Sequence, residues 1–424
     1  MVGRVFMRVV VVPFASSIHE RYYVRALEIF RSYFSKYEIE IGSVIAERDL
    51  AKIYAKSYVD SLPIALVLTG GVSRVIRDFV LSGGFRHVLI LAHSEHNSLA
   101  SAVSARARLE RSGVAVSLYH CENPDSRDCE DIVDRVYRVA SVVSGLNRLR
   151  IGIVSDRDKE ESDVRFEKRF DSEIIFISLE DLASEMSRVD DAKLREFYEY
   201  IRERLSFEMS LEHVYTVGRL YHALKSIVLE KRLDAVSIDC FPFITRHKIT
   251  PCIPLAILNS EGVVAGCEAD IQALFGMILA RRVSGKSGWI ANIVSAKSSR
   301  VMFAHCTVSL DIARSPRALA HFETLNPYAV SGEIVGDIVT MISVDDLFDK
   351  IYVERGRIIR SGMLVDTACR TQALVEVDFN AEDMPRVAPA NHHVIIPGDY
   401  TKILSDVARL LGFEVIRYRD LARY

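Results

Sequence analysis

The sequence predicts an α/β fold for its first two thirds and an antiparallel barrel or sandwich for its last third. Its 424 residues exceed what one hydrophobic core supports, so two or three domains are expected. Up to about residue 300, short apolar runs alternate with amphipathic stretches, which is typical of parallel strands covered by helices on both faces. Beyond that point, short strand-like runs follow one another directly, as in antiparallel sheets.

The first sheet is predicted from five apolar runs, two of which end in polar segments. The runs are residues 8–12, 39–45, 64–68, 87–92 and 114–119, with helices predicted at 19–36 and 99–110. Thr69-Gly70-Gly71 ends the third strand, and the polar cluster 93–97 ends the fourth. Ligands bind such sheets at the carboxyl ends of the strands, so these segments lie on the expected ligand side.

A second series of elements begins after about residue 148 and gives way to short strands near residue 300. Strands are predicted at 150–154, 174–177 and 235–239, and helices at 191–205, 211–231 and 271–279. In the last third the predicted strands are 301–305, 333–343, 350–353, 357–361 and 372–378, with Glu354-Arg355-Gly356 as a hairpin turn. The segment 393–415 is predicted to form a strand, a helix and a strand.

Composition and charge exclude several classes of partner. With 54 basic and 57 acidic residues and no purely basic segment, the chain lacks the phosphate-tracking surface of nucleic-acid-binding proteins. No apolar run reaches the length of a membrane span, and the run 9–12 is too short for a signal peptide. We therefore expect a cytoplasmic protein that binds neither nucleic acid nor membrane.

The seven cysteines contain no CxxC pair, which argues against a zinc knuckle and against a disulfide scaffold. Only two glutamines occur among many charged residues, and this depletion of thermolabile amides hints at a heat-adapted, thermophilic source. In such a source a Cys121–Cys129 disulfide is conceivable even in the cytoplasm.

Residues 239–270 gather carboxylates, thiols and turn residues in otherwise apolar surroundings. Glu268 stands between an apolar strand and the apolar helix 271–279. A carboxylate in that position needs a charged or metal partner, or it is protonated. The alternative is that Glu268 or Asp270 simply caps the helix, and residue types alone leave both interpretations open.

Histidines from two distant segments complete a candidate metal-ligand set. His305 ends the strand 301–305, and His392 and His393 are adjacent, so that in a strand they would face opposite sides. Each histidine by itself is more typical of a hydrogen-bonded core residue. Together, a carboxylate and two imidazoles suit a divalent metal of the Mn²⁺ type.

The order of several segments resembles the L-fucose isomerase and L-arabinose isomerase superfamily, in particular a short, fucose-isomerase-like member. The segments are 262–270 (GVVAGCEAD), 303–306 (FAHC), 321–324 (HFET), 336–340 (GDIVT), 391–394 (NHHV), 68–71 (LTGG) and 96–102 (HNSLASA). They span nearly the whole chain, and their order is more specific than any one of them.

The resemblance implies a fold of two doubly wound α/β domains, 1–148 and 149–285, followed by a barrel-containing domain, 286–424. It implies a Mn²⁺-dependent aldose–ketose isomerase, with Glu268 as metal ligand and base and with His305 and His392 or His393 as further ligands. It also implies a homo-oligomer, a trimer or hexamer, in which one N-terminal domain covers the site of a neighbouring subunit.

Seven residues are expected to bind a small-molecule sugar. From the neighbouring subunit these are Thr69, Gly70, Asn97 and Ser98; Cys240, Phe241 and Arg246 flank the site in the same chain. Cys240 is also typical of a small buried hydrophobe. The basic loop that contains Arg246 has two interpretations: it is a solvated loop, or it is an anion site for a phosphorylated or sulfonated sugar.

The chain departs from the pattern of the superfamily at Asn292, where an aspartate is expected. An asparagine offers a carbonyl oxygen to a metal but cannot accept a proton as a base, and the lost charge weakens the hold on a cation. Either Glu268 works with a metal-bound water, or Asp270 substitutes as the base. Otherwise the chemistry has changed to epimerisation or carbon–carbon cleavage, or the protein is a non-catalytic sugar-binding homologue.

Overall fold

The computed structural model describes residues 7–421, which form two compact units. The first unit contains residues 7–147 together with 403–413, and the second contains residues 148–402 together with 414–421. Strands and helices are numbered below in chain order. Among residues 7–421, no helix is both long and apolar enough to cross a membrane.

The first unit is built on a five-stranded parallel sheet with the strand order β2-β1-β3-β4-β5. Its strands are β1 (Arg8–Phe14), β2 (Glu40–Ile41), β3 (Ser61–Val67), β4 (His87–His93) and β5 (Ala115–Cys121). Its helices are α1 (Glu20–Phe34), α2 (Arg48–Ala55), α3 (Ser73–Ser82), α4 (Ser98–Glu110), α5 (Arg127–Ser144) and α14 (Thr401–Leu410). The predicted α/β architecture of this part of the chain is confirmed.

The predicted strand 39–45 was too long. Only Glu40–Ile41 pairs regularly with β1, because this strand lies at the sheet edge and the chain then leaves the ladder. Two further backbone bonds, from Gly42 N to Val11 O and from Ile45 N to Pro13 O, hold the departing segment at 2.9 Å each. At the other edge, Cys121 and Cys129 form a disulfide between the end of β5 and the start of α5.

The second unit begins with a four-stranded parallel sheet of strand order β7-β6-β8-β9. Its strands are β6 (Arg150–Val154), β7 (Glu173–Ile177), β8 (Ala235–Ile238) and β9 (Val264–Cys267). Its helices are α6 (Glu161–Phe170), α7 (Leu179–Ser187), α8 (Asp191–Arg202), α9 (Leu211–Glu230), α10 (Cys240–His247), α11 (Cys252–Ser260) and α12 (Ile271–Ser284). Glu268 therefore follows the last strand of a parallel sheet and precedes a buried helix, as the sequence predicts.

The C-terminal part is a closed six-stranded antiparallel barrel, which decides between the predicted barrel and sandwich. The barrel strands are β10 (Trp289–Lys297), β11 (Arg300–His305), β14 (Ile338–Val344), β15 (Lys350–Gly362), β16 (Thr371–Glu376) and β17 (His392–Pro397). Their order β14-β17-β10-β11-β16-β15 is closed by pairing of β15 with β14. The outlying elements are the hairpin β12 (Ala313–Ala320) and β13 (Pro327–Ile334), strand β18 (Glu414–Ile416) and helices α13 (Met384–Val387) and α15 (Tyr418–Leu421).

The hairpin turn predicted at 354–356 was wrong. Strand β15 runs unbroken through this segment, because Glu354 is fully buried and bonded to the guanidinium groups of Arg417 and Arg419. A Cβ atom at Gly356 would lie 2.3 Å from the side chain of Val375, so the glycine serves close strand packing and not a turn.

The predicted strand 333–343 was also wrong, because it merged the ends of two strands. The chain turns at Gly336, whose φ of +86° lies in the region that favours glycine, and this turn separates β13 from β14.

Helix α12 links the parallel sheet of the second unit to the barrel. It packs on β9 on one side and on β14 and β17 on the other. Gly276 allows the close approach, because a Cβ atom there would lie 2.9 Å from the side chain of Val394. The first turn of α12 is thereby held beside the start of β17, where His392 lies.

Candidate metal centre

Three predicted ligands converge in the second unit: Glu268, His305 and His392. His305 Nε2 lies 3.4 Å from Glu268 Oε1, and His392 Nε2 lies 3.6 Å from Glu268 Oε2. One donor atom from each side chain lies within 4.8 Å of the other two. They come from the end of β9, the end of β11 and the start of β17, so the parallel sheet and the barrel must both be formed before the group exists.

The imidazole of His392 is oriented by a second carboxylate. Its Nδ1 lies 2.7 Å from Asp270 Oδ2, and its Nε2 is buried without a hydrogen-bond partner among residues 7–421. We assign the proton to Nδ1, since a carboxylate can only accept it there. Burial alone would lower the pKa of His392, but the bond and charge of Asp270 and the charge of Glu268 raise it above its usual value. The lone pair of Nε2 therefore points toward Glu268.

Asp270 fulfils the predicted capping role at the same time. Its Oδ1 accepts a hydrogen bond from Ala273 N at 2.8 Å, which caps helix α12. The two carboxylate oxygens are thus engaged by different partners, one by the helix and one by His392. Glu268, in contrast, does not cap the helix, and its carboxylate faces the two histidines.

The backbone at Glu268 is in a strained conformation. Glu268 and Ala269 have φ values of +63° and +51°, in the left-handed region that non-glycine residues rarely adopt. The Ala269 carbonyl accepts a hydrogen bond from Arg157 at 3.3 Å. Each such residue costs on the order of 1 kcal/mol, and strain of this kind clusters at functional sites. The strained turn aims the carboxylate of Glu268 at the imidazoles.

The electrostatic surroundings keep Glu268 ionised. Burial alone would raise its pKa, but the hydrogen bond with His305 and the charges of His305, His392 and His321 lower the pKa below its usual value. His305 is fully buried, which lowers its pKa despite the neighbouring carboxylate. Its Nδ1 has no hydrogen-bond partner among the described residues.

His393 lies on the opposite side of β17 from the metal-ligand group. Its Nε2 lies 2.7 Å from Tyr418 Oη, and its Nδ1 lies 3.2 Å from Asn391 O. Burial lowers its pKa to about 4. Both ring nitrogens are occupied within the barrel, so His392 is the member of the pair that faces Glu268.

Asn292 lies directly opposite His392 in the pairing of β10 with β17. Residues opposite each other in an antiparallel pair share a face of the sheet. Its Oδ1 accepts a hydrogen bond from the side-chain amide of Asn391 at 2.7 Å. Asn292, which replaces the expected aspartate, therefore lies on the same face of the sheet as His392.

His321 is a neighbour of the site that the sequence analysis did not single out as functional. It is buried, its charge acts on Glu268, and its Nδ1 lies 3.1 Å from Thr324 Oγ1. The segment 321–324 was noted only as a point of resemblance. Histidine is a residue type that binds metals, but nothing in the sequence indicates that His321 lies near Glu268.

The three residues predicted to flank the substrate lie in different surroundings. Cys240 is buried, and its thiol is grouped with Cys267 and Glu268 within 4.8 Å. Phe241 is 42% exposed, and its ring centre lies 6.4 Å from that of His321. Arg246 forms an exposed ion pair with Asp156 at 3.2 Å. The first two are next to site residues, and Arg246 already has a carboxylate partner.

The four residues predicted from the N-terminal domain lie together at the carboxyl end of the first sheet. Thr69 Oγ1 accepts a hydrogen bond from Ser16 N at 2.7 Å, and Ser98 Oγ donates to Val67 O. Gly70 N donates to His96 O at 2.8 Å, and Asn97 is exposed with a φ of +58°. The hydroxyls of Thr69 and Ser98 are structural, whereas the side chain of Asn97 faces solvent.

The metal-ligand group suits a divalent ion. Donor atoms bound about 2.1 Å from one ion lie about 3 to 3.5 Å apart, and the separations of Glu268 from His305 and His392 are 3.4 and 3.6 Å. The unpartnered Nε2 of His392 is directed at the carboxylate. Two imidazoles and a carboxylate are ligands for Mn²⁺, Fe²⁺ or Zn²⁺ rather than for Ca²⁺. The carboxylate–histidine contact of Asp270 is the usual support of a metal-binding imidazole.

The sequence is similar to sulfoquinovose isomerases. It is 22% identical to the sulfoquinovose isomerase of Priestia aryabhattai over 317 residues, which span 70% of each chain. The values for the sulfoquinovose isomerase of Priestia megaterium are the same. A shorter match of 101 residues, 23% of each chain, is 28% identical to the enzyme of a Clostridium species. No protein-family model matches the sequence. The similarity supports a relation to sugar isomerases, and the narrower resemblance to fucose and arabinose isomerases stays a prediction.

Proposed function

We propose that this protein is a metal-dependent aldose–ketose isomerase whose site is formed by Glu268, His305 and His392. The observation that carries the proposal is the convergence of these three side chains, with Nε2 of His392 buried, unpartnered and directed at Glu268. The similarity to sulfoquinovose isomerases over 70% of the chain supports the same class of reaction.

The proposed ion is Mn²⁺ or another divalent metal, held by Glu268, His305 and His392. When bound, such an ion supplies a Lewis acid beside the oxygen that becomes negative in an enediolate. Asp270 holds His392 in the tautomer that leaves Nε2 free. His393 is outside the proposed ligand set, because both of its nitrogens are bonded in the barrel.

Glu268 is the proposed base that moves a proton between C1 and C2 of the sugar. The lowered pKa of its carboxyl keeps it ionised at neutral pH and therefore able to accept a proton. Both oxygens lie near an imidazole, but Oε2 is 3.6 Å from His392 Nε2, beyond hydrogen-bond distance, and is the oxygen proposed to accept the proton. Asp270 is a poor candidate for the base, since both of its oxygens are engaged.

The relatives suggest the first substrate to test. Sulfoquinovose, the sugar in their names, and unsubstituted aldoses would be incubated with Mn²⁺-loaded protein in ²H₂O, and ketose formation and deuterium at C1 of the ketose would be followed by NMR. Isomerase activity predicts both signals, and Glu268→Gln should abolish them. Stoichiometric Mn²⁺ binding without turnover of any tested sugar would contradict the activity while leaving the metal site intact.

Asn292 favours a second candidate, a sugar-processing enzyme of the same fold with changed chemistry. The side-chain oxygen of Asn292 already accepts a hydrogen bond from the side-chain amide of Asn391, and an amide cannot relay a proton. A carbon–carbon lyase can work with Glu268 as its one base, whereas epimerisation also needs a proton donor on the opposite face of the sugar. The same NMR experiment separates them, because an epimer or a shortened product would appear in place of the ketose.

The N-terminal segments that contain Thr69, Gly70, Asn97 and Ser98 are proposed to cover the site of a neighbouring subunit in a homo-oligomer, with the hydroxyls of Thr69 and Ser98 holding these segments in place. The exposed Asn97 is the member of this group whose side chain is available for such a contact. Light scattering after size-exclusion chromatography should give a trimer or hexamer of 47.8 kDa chains. A monomer would contradict this arrangement.

A further inference from the structure

Two cysteines lie in contact beside the candidate metal centre. The Sγ atoms of Cys306 and Cys369 are 3.0 Å apart, although the residues are 63 positions apart in the chain. Cys306 directly follows His305 and is 6% exposed, whereas Cys369 is partly exposed. The metal-ligand group does not include either thiol, so their proximity is unexplained by the proposed catalytic role.

The barrel holds the two cysteines in a fixed register. Strand β11 pairs antiparallel with β16, with His305 opposite Thr371, and each cysteine lies just beyond one strand end. Continued by one residue, this register places Cys306 opposite Arg370, so Cys369 is one residue from the directly opposed position and its thiol still reaches that of Cys306.

Hydrogen bonds fix both cysteine backbones. The Cys306 carbonyl accepts a hydrogen bond from Val330 N at 2.9 Å. The Cys369 carbonyl accepts one from the side-chain amide of Gln372, also at 2.9 Å. The Cys306 backbone is therefore tied to β13, and Cys369, which lies in the loop before β16, is tied to that strand.

We propose that Cys306 and Cys369 are a modification site that closes to a disulfide in reaction with a low-molecular-weight disulfide such as oxidised glutathione. An S–S bond is about 2.05 Å long, so closure requires the sulfurs to approach by roughly 1 Å. The two thiols are already in contact, so closure starts from a short sulfur–sulfur distance.

The exchange proceeds in two steps in which atoms and electrons balance. The more accessible Cys369 loses its proton and attacks one sulfur of the small disulfide, which forms a mixed disulfide and releases one small thiol. Cys306 then loses its proton and attacks the Cys369 sulfur, which releases the second small thiol. The two cysteines are oxidised by two electrons, and the small disulfide is reduced to two thiols.

The cross-link would join the end of β11 to the segment that leads into β16. Because Cys306 follows His305, the bond fixes the backbone next to a proposed metal ligand. It also closes a loop of more than 60 residues, and cross-links of long loops are expected to stabilise most by restricting the unfolded chain. The protein already holds one disulfide, Cys121–Cys129, in its other unit.

The test is peptide mapping of the full-length protein after incubation with oxidised glutathione. The protein would be denatured in iodoacetamide and digested without reductant, and peptides would be identified by mass spectrometry. We expect a linked peptide that contains Cys306 and Cys369. The number of alkylated cysteines should fall from five, the cysteines outside the existing disulfide, to three. Separate alkylation of Cys306 and Cys369, or linkage of either to another cysteine, would overturn the proposal.

Melting temperatures provide a second readout that does not depend on catalysis. Oxidised parent protein should melt several degrees above reduced protein, and this difference should shrink in Cys369→Ser. Cys252→Ser is the matched control, since Cys252 is a buried thiol that makes no hydrogen bond to another sulfur among residues 7–421, and it should keep the parent difference. An unchanged difference in Cys369→Ser would also overturn the proposal. Neither readout requires isomerase activity, so failure of the proposed function leaves this test unaffected.

Discussion

Replacing Asp270 with asparagine separates its two roles and tests the orientation of His392. In the parent, Oδ1 caps α12 through Ala273 N and Oδ2 accepts the proton of His392 Nδ1 at 2.7 Å. An asparagine that keeps the cap with its oxygen must place its NH₂ group against Nδ1. Two donors cannot face each other, so the imidazole proton is driven to Nε2, the nitrogen that is proposed to bind the metal.

The expected size of the effect is a 10- to 100-fold loss of Mn²⁺ affinity, which is the usual result of removing the partner of a metal-binding histidine. That loss corresponds to about 1.4 to 2.7 kcal/mol. Asparagine caps helices about as well as aspartate, so the free energy of unfolding of the metal-free protein should change by less than about 0.5 kcal/mol. Asp270→Ala should lose the same affinity and, in addition, about 1 kcal/mol of stability.

Isothermal titration with Mn²⁺ at neutral pH measures the affinity, and urea unfolding in the presence of a chelator measures the stability. Asp190→Asn is the matched control, because Asp190 caps α8 through Lys193 N and is not part of the metal-ligand group. It should leave both quantities unchanged. Unchanged Mn²⁺ affinity in a folded Asp270→Asn protein would refute the assignment of the proton and of His392 as a ligand.

Three further substitutions test the metal-ligand group and the buried carboxylate of the barrel. Glu268→Gln should abolish stoichiometric Mn²⁺ in elemental analysis after dialysis, because it removes the carboxylate that both imidazoles face; retained metal would contradict its role. Asn292→Asp should tighten Mn²⁺ binding in the same titration, since it adds a negative charge opposite His392, and weaker binding would count against this placement. Glu354→Gln should lower the free energy of unfolding by about 2 to 4 kcal/mol at pH 7, because it leaves Arg417 and Arg419 without their buried partner. Burial alone would raise the pKa of Glu354, but Arg419 and Arg417 lower it below its usual value. The contribution of this carboxylate is therefore complete above about pH 5 and is lost as pH falls through the lowered folded-state pKa. The free energy of unfolding in urea should therefore differ less between pH 7 and pH 4 in Glu354→Gln than in the parent. An equal difference in the two proteins would contradict this.

Several features of the site could be read from the sequence because they depend on neighbouring residues. An ionisable residue between an apolar strand and an apolar helix needs a partner. This argument predicts a partner for Glu268, and the structure places Glu268 after β9, close to His305 and His392. Asp270 had the chemistry and position of a helix cap, and it is one. The alternation of side chains in a strand required one of His392 and His393 to face away, and His393 does.

The errors came from patterns whose meaning depends on distant residues. Glu-Arg-Gly at 354–356 has the composition of a turn, but Arg417 and Arg419 neutralise Glu354 inside the barrel, so the strand continues. Those arginines lie more than 60 residues further along the chain. His321 was passed over for a related reason, since no local pattern relates it to Glu268.

The sequence by itself determined the type and order of most elements, the strand-end position of Glu268 and the residue types available to a metal. These properties follow from hydrophobic periodicity and local hydrogen bonding, which act over a few residues. Only the tertiary structure decided that the sheet closes into a barrel, that His392 and not His393 faces Glu268, that Asp270 orients this imidazole, and that Cys306 touches Cys369. The reason is physical: each of these contacts joins segments that are brought together by strand register and closure, and register is set by the packing of the whole core.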